Sequence, residues 1–263
     1  MKTLLEKTRK INNIIQKAAG HPISFAEMAE TLCRVIDTNV YILGRKGKIL
    51  GYAFMDNFYC PTMEEIVKLE GHYPDAYNDD LLRINETKIN IDREGNCVFG
   101  IHKSCFLKNK YTTVVPIQGG GQRLGTLMLS KGGEFDSNDL ILAELSATVI
   151  GMEILRARVE KMEEDARQKS VVSLAFDTLS YSELLAVEHI FNELGGKNGL
   201  LVASKIADKE NITRSVIVNA LRKLESAGVV EVRSLGMKGT YISILNDYLM
   251  EELERIKASH HRY

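Results

Sequence analysis

Apolar and polar positions follow different periods in the two halves of the chain. Between positions 39 and 131, short β-rich runs are separated by turn residues, a pattern typical of antiparallel strands. One pair of runs flanks Arg45-Lys46-Gly47-Lys48 and another flanks Gly119-Gly120-Gly121, so each pair predicts a β-hairpin. Before and between these runs, apolar residues recur at the intervals of a helix. The N-terminal part is therefore expected to be an α+β domain.

Helices are predicted wherever apolar residues recur at three- to four-residue intervals. Ser24 followed by Glu27 forms a capping box that opens one of them. The segment from 85 to 110 is irregular, with a possible strand near Cys97–Ile101. The helices predicted in this part of the chain cover residues 4–19, 24–36, 62–69 and 75–82.

From Ser137 onward the pattern is helical over a long stretch. The segment 157–169 is dense in charges of both signs and lacks Gly and Pro, which fits a helix that leaves a compact domain as a solvated connector. The apolar stripe of this helix is longer than packing within one domain requires, so the helix could equally form a dimer interface. We expect a first domain at 1–155, a helical linker at 156–180 and a second domain at 181–263.

The region after Ser180 or Ser182 predicts a helix, a short helix, a tight turn, a second helix and two strands. The short helix covers 203–209, the turn is Asn211-Ile212, and the second helix runs from an N-cap at Thr213 to Gly228. Two strands then bracket the loop at 235–239. This order predicts a winged helix-turn-helix.

The second helix of that motif has two distinct faces. Its inward stripe consists of Ile217, Ala220, Leu221 and Leu224. An arginine and a hydroxyl at its start, followed one turn later by an amide, suit base edges and phosphates in a major groove. Double-stranded DNA is therefore the expected partner, and a winged helix used for protein contacts is the alternative. The predicted DNA contacts are Ser204, Lys205, Thr213, Arg214, Ser215, Val218, Asn219, Arg222, Arg233 and Lys238.

Local charge supports this interpretation. The whole chain has a net charge of −1, but residues 197–241 contain eight basic and four acidic side chains and are therefore at +4. No apolar run is long enough to span a bilayer, and the N-terminus lacks the features of a signal peptide. A cytoplasmic location is expected.

The cysteines and histidines show no metal-site spacing. The four cysteines, Cys33, Cys60, Cys97 and Cys105, are expected to be free thiols, although Cys97 and Cys105 could form a redox switch. No catalytic arrangement stands out, and 120–126 lacks the lysine of a phosphate-binding loop. The chain is not expected to be an enzyme, and no metal is expected.

Several long segments resemble the CodY family of nutrient-responsive regulators: LLEKTRKINNIIQKAAG, VVPIQGGGQRLGTLMLS, DLILAELSATVIGMEIL and LLVASKIADKENITRSVIVNALRKLESAGVVEVRSLGMKGTYI. The resemblance implies an N-terminal GAF effector domain, a helical linker and a C-terminal winged helix-turn-helix. It also implies a homodimer that mainly represses genes of starvation, metabolism and virulence. The implied effectors are GTP and a branched-chain amino acid, with isoleucine favoured.

The resemblance further implies an amino-acid site within 59–106. The apolar half of the family's pocket is present, but Thr62 replaces the arginine that would pair with the ligand carboxylate. A buried carboxylate needs a cationic or multiply hydrogen-bonded partner, so either Arg83 and backbone N–H groups compensate or the affinity is altered. The segment could equally be plain core. The implied site residues are Thr62, Met63, Ile66, Tyr73, Cys97, Phe99, Gly100 and Ile101.

A GTP site is implied as well. A basic turn can meet phosphates, and a carboxylate can accept hydrogen bonds from guanine. As a bare motif, Arg-Lys-Gly-Lys is usually a solvated turn. The residues that match the family's site are Gly44, Arg45, Lys46, Lys48, Glu153 and Arg158.

Overall fold

The structure is a computed structural model that describes residues 2–17, 23–56, 58–92, 99, 110–210 and 212–260. It divides into two compact units, residues 1–159 and residues 160–263. We call these the first unit and the second unit and describe each by itself.

The first unit is built on a five-stranded sheet in the order β2-β1-β5-β4-β3, in which every neighbouring pair is antiparallel. Both predicted hairpins are confirmed, because β1 pairs with β2 and β4 pairs with β5. The strands are β1 (Asn39–Gly44), β2 (Ile49–Ala53), β3 (Lys88–Asp92), β4 (Tyr111–Gly119) and β5 (Gln122–Lys131).

Helices cover both faces of this sheet. The Ser24 hydroxyl caps α2 by accepting from the Glu27 N–H, as the capping pattern predicts. A π-helix at Ile66–Glu70 follows α3 directly, so the single helix expected at 62–69 is two short pieces. The helices are α1 (Lys2–Lys17), α2 (Phe25–Ile36), α3 (Pro61–Glu65), α4 (Asp75–Leu82) and α5 (Ser137–Asp177).

The alternation of side chains along each strand produces two separate cores. Val40 and Ile42 of β1 face a core shared with α1, α2 and the N-terminal half of α5. Tyr41 and Leu43, one position out of phase, face a second core that contains residues of α3, α4 and the π-helix. Gly151 lets α5 approach β4, because a Cβ there would lie 2.8 Å from the Gln118 carbonyl oxygen.

The second unit combines the end of α5 with four helices and a three-stranded antiparallel sheet in the order β6-β8-β7. Val172 and Phe176 of α5 are buried in its core, so the end of α5 packs as part of this unit. Its further elements are α6 (Tyr181–Leu194), β6 (Asn198–Leu201), α7 (Ala203–Glu210), α8 (Arg214–Ser226), β7 (Val230–Ser234), β8 (Thr240–Ile244) and α9 (Leu249–His260).

Three elements lie where no element was predicted. Strand β3 occupies part of the segment expected to be irregular, and β6 and α9 add to the winged helix-turn-helix. The strand expected near Cys97–Ile101 lies outside the described residues, except for Phe99, which is in a turn. No helix within the described ranges is both long enough and apolar enough to cross a membrane.

Candidate nucleic-acid interface and effector sites

Helix α8 begins and ends where its sequence predicts. Thr213 is the N-cap with an extended backbone, although its hydroxyl oxygen lies 2.9 Å from Ser215 Oγ and caps no backbone N–H. Gly228, just beyond the helix, has a φ of 70°, a conformation that favours glycine. The helix therefore has a defined start, with Arg214 and Ser215 in its first turn.

The two predicted faces of α8 are confirmed. Ile217, Ala220, Leu221 and Leu224 are at most 5% exposed and fasten the helix to the core of the second unit. The opposite face is open to solvent along the whole helix. The exposed side chains are Arg214, Ser215, Val218, Asn219 and Arg222, followed in the last turn by Glu225 and Ser226.

The flanking residues predicted to contact DNA are also on the surface. Ser204 and Lys205 are exposed on α7, and Lys238 is exposed in the 3₁₀ turn Gly236–Lys238 of the wing. Arg233 on β7 differs, because its guanidinium lies 2.6 Å from the Glu231 carboxylate. This hydrogen bond raises the pKa of Arg233 and offsets its charge locally.

Ion pairs divide the basic residues of 197–241 into two groups. Lys197, Lys209, Lys223 and Arg233 each contact an acidic side chain. The other four have no acidic partner among the described residues, and all four are predicted DNA contacts: Lys205, Arg214, Arg222 and Lys238. The positive charge that is free to meet phosphates is therefore concentrated on the α7–α8 motif and the wing.

The β1–β2 turn, where phosphate contacts were predicted, is held by its backbone. Carbonyl oxygens of Arg45, Lys46 and Gly47 accept hydrogen bonds from Asn78 Nδ2, His72 Nε2 and the Tyr73 N–H, respectively. The side chains of Arg45, Lys46 and Lys48 are exposed and have no acidic partner in the described part of the chain. Gly44, at the start of the turn, is half-buried and ends β1.

Glu153 and Arg158, the other two residues of the predicted GTP site, are on α5. Glu153 Oε2 accepts a hydrogen bond of 3.2 Å from the Ile23 N–H, and Arg158 is exposed. A Cβ at Gly119 would contact Leu155, and Gly44 pairs with Gly125 at the same end of the sheet. The β1–β2 turn and the part of α5 that carries Glu153 and Arg158 therefore lie toward the same end of the first unit.

The predicted amino-acid residues lie in or beside the second core of the first unit, which we call the aromatic core (Tyr41, Leu43, Met63, Ile66, Val67, Tyr73, Tyr77, Leu81, Val114 and Met128). Thr62 is 5% exposed, and Phe99 packs edge-on against Tyr73 at a ring-centroid distance of 5.8 Å. Cys97, Gly100 and Ile101 lie outside the described residues. The structure thus brings together the five predicted residues that it describes, Thr62, Met63, Ile66, Tyr73 and Phe99.

Tyr73 is the unusual member of the aromatic core. Its side chain is fully buried, and its hydroxyl has no hydrogen-bond partner among the residues that the structure describes. Burial, together with the neighbouring Tyr41 and Tyr77, raises the pKa of Tyr73 well above its ordinary value. A buried hydroxyl without a partner costs free energy, and a polar ligand group could supply the missing bond.

Arg83, the candidate to compensate for the missing pocket arginine, lies on the surface. Its side chain is 79% exposed and bonds to Asp80 Oδ1 at 3.0 Å, so the structure does not bury it with the aromatic core. The structure places another guanidinium beside the aromatic core. Arg123 donates to the carbonyls of Leu81 and Ile84 at the end of α4 and to Thr126 Oγ1, and burial lowers its pKa. No local signal marks the contact of Arg123 with α4, because Leu81 and Ile84 are 42 and 39 positions away in sequence.

In the part of the chain that the structure describes, the thiols and metal-binding side chains add no further site. Cys33 and Cys60 are free, and burial is the main cause that raises the pKa of Cys33. Cys97 and Cys105 lie outside the described residues. Within the described ranges, no three His, Cys, Asp or Glu side chains are grouped so that they could hold a metal ion.

Comparison with known proteins gives consistent matches for both units. The CodY GAF-like domain family matches residues 3–178, and the CodY helix-turn-helix domain family matches residues 197–257. Proteins named global transcriptional regulator CodY from Clostridium perfringens and Clostridium botulinum are 57% and 58% identical, respectively, over 98% of this chain and their whole length. A solved structure entitled the cofactor binding GAF domain of the nutrient sensor CodY from Clostridium difficile is 39% identical, covers 57% of this chain and 96% of that chain, and has a TM-score of 0.39.

The fold and the exposed polar helix define a transcription regulator with a GAF domain and a DNA-binding helix-turn-helix. The chain belongs to the CodY family of global transcriptional regulators. The expectation that it is not an enzyme is confirmed, since its relatives are named as regulators.

Proposed function

We propose that this protein is a homodimeric, mainly repressing regulator that binds double-stranded DNA under the control of GTP and a branched-chain amino acid. The observation that carries the proposal is the outward face of α8. Its polar side chains, and two arginines without an acidic partner in the described part of the chain, lie opposite an apolar stripe that is buried in the core. The regulated genes would be those of starvation, metabolism and virulence. Access to chromosomal DNA requires a cytoplasmic location.

In this proposal α8 enters the major groove. Arg214 and Ser215, at its N-terminal end, contact phosphates and base edges, and Asn219 presents an amide that can bind adenine in two places. Val218, which is 40% exposed, suits contact with a thymine methyl group. The residues that flank the groove and position the helix on phosphates are Ser204, Lys205, Thr213, Arg222, Arg233 and Lys238.

The amino-acid effector, with isoleucine as the first candidate, would bind at the aromatic core. Met63, Ile66 and the ring of Phe99 supply apolar contacts for a branched side chain, and Cys97, Gly100 and Ile101 belong to the same proposed site. Thr62 is a polar group that can bond to the charged end of the ligand, and so is the Tyr73 hydroxyl, which has no partner in the described part of the chain. Both are neutral, so the affinity depends on hydrogen bonds rather than on an arginine.

The GTP effector would bind at the end of the first unit that carries Arg45, Lys46 and Lys48. Three exposed cations without acidic partners among the described residues, on a turn held by its own carbonyls, can bind a triphosphate at little cost in ordering. Glu153 and Arg158 would complete the site with the start of the turn at Gly44.

The exposed side of α5 supports the homodimer. Ile141, Met152, Val159 and Met162 are 52%, 57%, 53% and 70% exposed, and together with Leu145, Thr148 and Leu155 they alternate at spacings of four and three. That spacing is the seam of a two-stranded coiled coil. A second copy of this helix is the partner that it fits.

The proposal is tested by fluorescence anisotropy with a labelled duplex that the protein selects from a randomised library. Isoleucine and GTP should each tighten binding, and together more than either alone, because two effectors that favour the same state add their free energies. Alanine, which lacks the branched side chain, and ATP serve as matched controls. Duplex affinity that neither effector changes would contradict the effector assignment, and the absence of duplex affinity would contradict the whole proposal.

A further inference from the structure

Lys223, on α8, directs its amine to two neighbouring elements of the second unit. Its amine lies 2.7 Å from Glu183 Oε2 and 2.8 Å from the carbonyl oxygen of Thr178. Thr178 directly follows α5, and Glu183 is in the first turn of α6. One side chain of α8 therefore joins the end of α5 to the start of α6.

The carboxylate that receives Lys223 is itself fixed. Glu183 is 7% exposed, and its Oε2 also accepts the Ser180 N–H at 2.7 Å while the Ser180 hydroxyl caps the Glu183 N–H. The hydrogen bonds from Lys223 and Ser180 lower the pKa of Glu183, so it is charged at neutral pH. The contact is a charge-assisted hydrogen bond to a rigid acceptor.

Lys223 lies beside the outward face of α8 and not within it. At about 100° per residue, Lys223 is roughly 110° around the helix from the centre of the face formed by Arg214, Val218 and Asn219. A contact at that angle resists rotation of the helix about its own axis. A rotation of about 10° would move side-chain tips at a radius of roughly 6 Å by about 1 Å, which is enough to break a base hydrogen bond.

We infer that Lys223 is a positioning residue for DNA recognition, which acts through Glu183 and Thr178 to set the rotation of α8, and that it is not a phosphate contact. The inference rests on the proposed DNA-binding function of α8. It assigns Lys223, one of the eight basic residues that give 197–241 its charge of +4, to a contact within the second unit rather than to DNA.

The two roles predict opposite effects of Glu183→Gln. If Lys223 contacts phosphate, removing the acid that competes for its amine should tighten DNA binding. If Lys223 positions α8, the same change should weaken binding to the selected duplex by roughly tenfold, in the range of measured pair interactions. Glutamine keeps the capping acceptor, so α6 retains its start. Circular dichroism checks that the variant is folded.

Lys223→Met and Lys223→Arg complete the experiment. We expect Lys223→Met to weaken selected-duplex binding by roughly tenfold and the double variant to be no weaker than either single one, since both break the same contact. Lys223→Arg should restore most of the affinity. The slope of log Kd against log salt on a scrambled duplex should be unchanged by Lys223→Met, whereas loss of a phosphate contact would reduce it by about 0.9.

Tighter or unchanged binding by Glu183→Gln, or a reduced salt slope for Lys223→Met, would overturn the inference while the DNA-binding function stands. Lack of duplex binding by the wild-type chain is a different result. It would overturn the proposed function and the inference with it.

Discussion

Replacing Arg214 with alanine tests the outward face of α8 at its most informative position. Arg214 is exposed, is the first residue of the helix and has no acidic partner among the described residues. Its removal therefore breaks no ion pair in the free protein, and a cation at a helix N-terminus is slightly unfavourable, so stability should change by less than about 0.5 kcal/mol. In a complex, a contact of an arginine to a base edge is worth about 1–3 kcal/mol. The expected loss of affinity is about 5- to 150-fold.

The assay is a titration of the selected duplex, with melting temperature and isoleucine binding measured on the same preparations. Arg167→Ala is the matched control, because it removes an exposed arginine from α5 at a site paired only with Glu164. The control should bind DNA as the wild-type chain does. If Arg214→Ala binds the duplex normally, or if it loses DNA affinity only together with its fold, the placement of α8 in the groove is refuted.

Three further changes test how individual side chains stabilise the fold. Leu224→Ala should destabilise the second unit by about 2–5 kcal/mol in urea unfolding, because Leu224 is fully buried; a loss below about 1 kcal/mol would contradict its place in the core. Tyr73→Phe should leave the unfolding free energy without effectors unchanged or raise it by about 1 kcal/mol, since it removes a buried hydroxyl with no partner; a clear loss would mean that the hydroxyl is bonded. Asp136→Ala should cost about 1 kcal/mol at pH 7, because Asp136 Oδ1 accepts the Asp139 N–H beside the start of α5. That hydrogen bond lowers the pKa of Asp136, so its contribution is present above the unfolded value of about 3.9 and is lost as the pH falls through the lower folded pKa. The difference between Asp136→Ala and the wild type should therefore shrink in strong acid, and a difference that persists there would contradict this cause.

Periodic patterns in the sequence predicted the helices and strands in which apolar residues are regularly spaced. The β1–β2 and β4–β5 hairpins and the faces of α8 follow from regular spacing and from turn residues such as Gly47 and Gly228, which have positive φ angles. Strand β6 has only four residues, which is too short for a period to show. Strand β3 is an edge strand whose pairing with β4 is irregular.

Contacts between residues that are far apart in the sequence could not be predicted from sequence patterns. Lys223 is 40 positions from Glu183, and Arg123 is 42 positions from Leu81, so neither pairing leaves a local trace. The sequence pattern therefore counted Lys223 only as part of the positive charge of 197–241, and it did not single out Arg123. Exposure of Arg83 was likewise decided by the position of α4 in the fold, which its neighbours in sequence do not reveal.

The salt dependence of duplex binding tests the central claim most directly. Four cations that have no acidic partner within the described ranges lie on α7, on the outward face of α8 and in the wing: Lys205, Arg214, Arg222 and Lys238. If all four meet phosphates, log affinity should fall with log salt at a slope of about −3.6 per bound chain, and the selected duplex should bind at least about 1,000-fold more tightly than a scrambled one. A slope near zero, or equal affinity for both duplexes, would contradict the claim that α8 reads DNA.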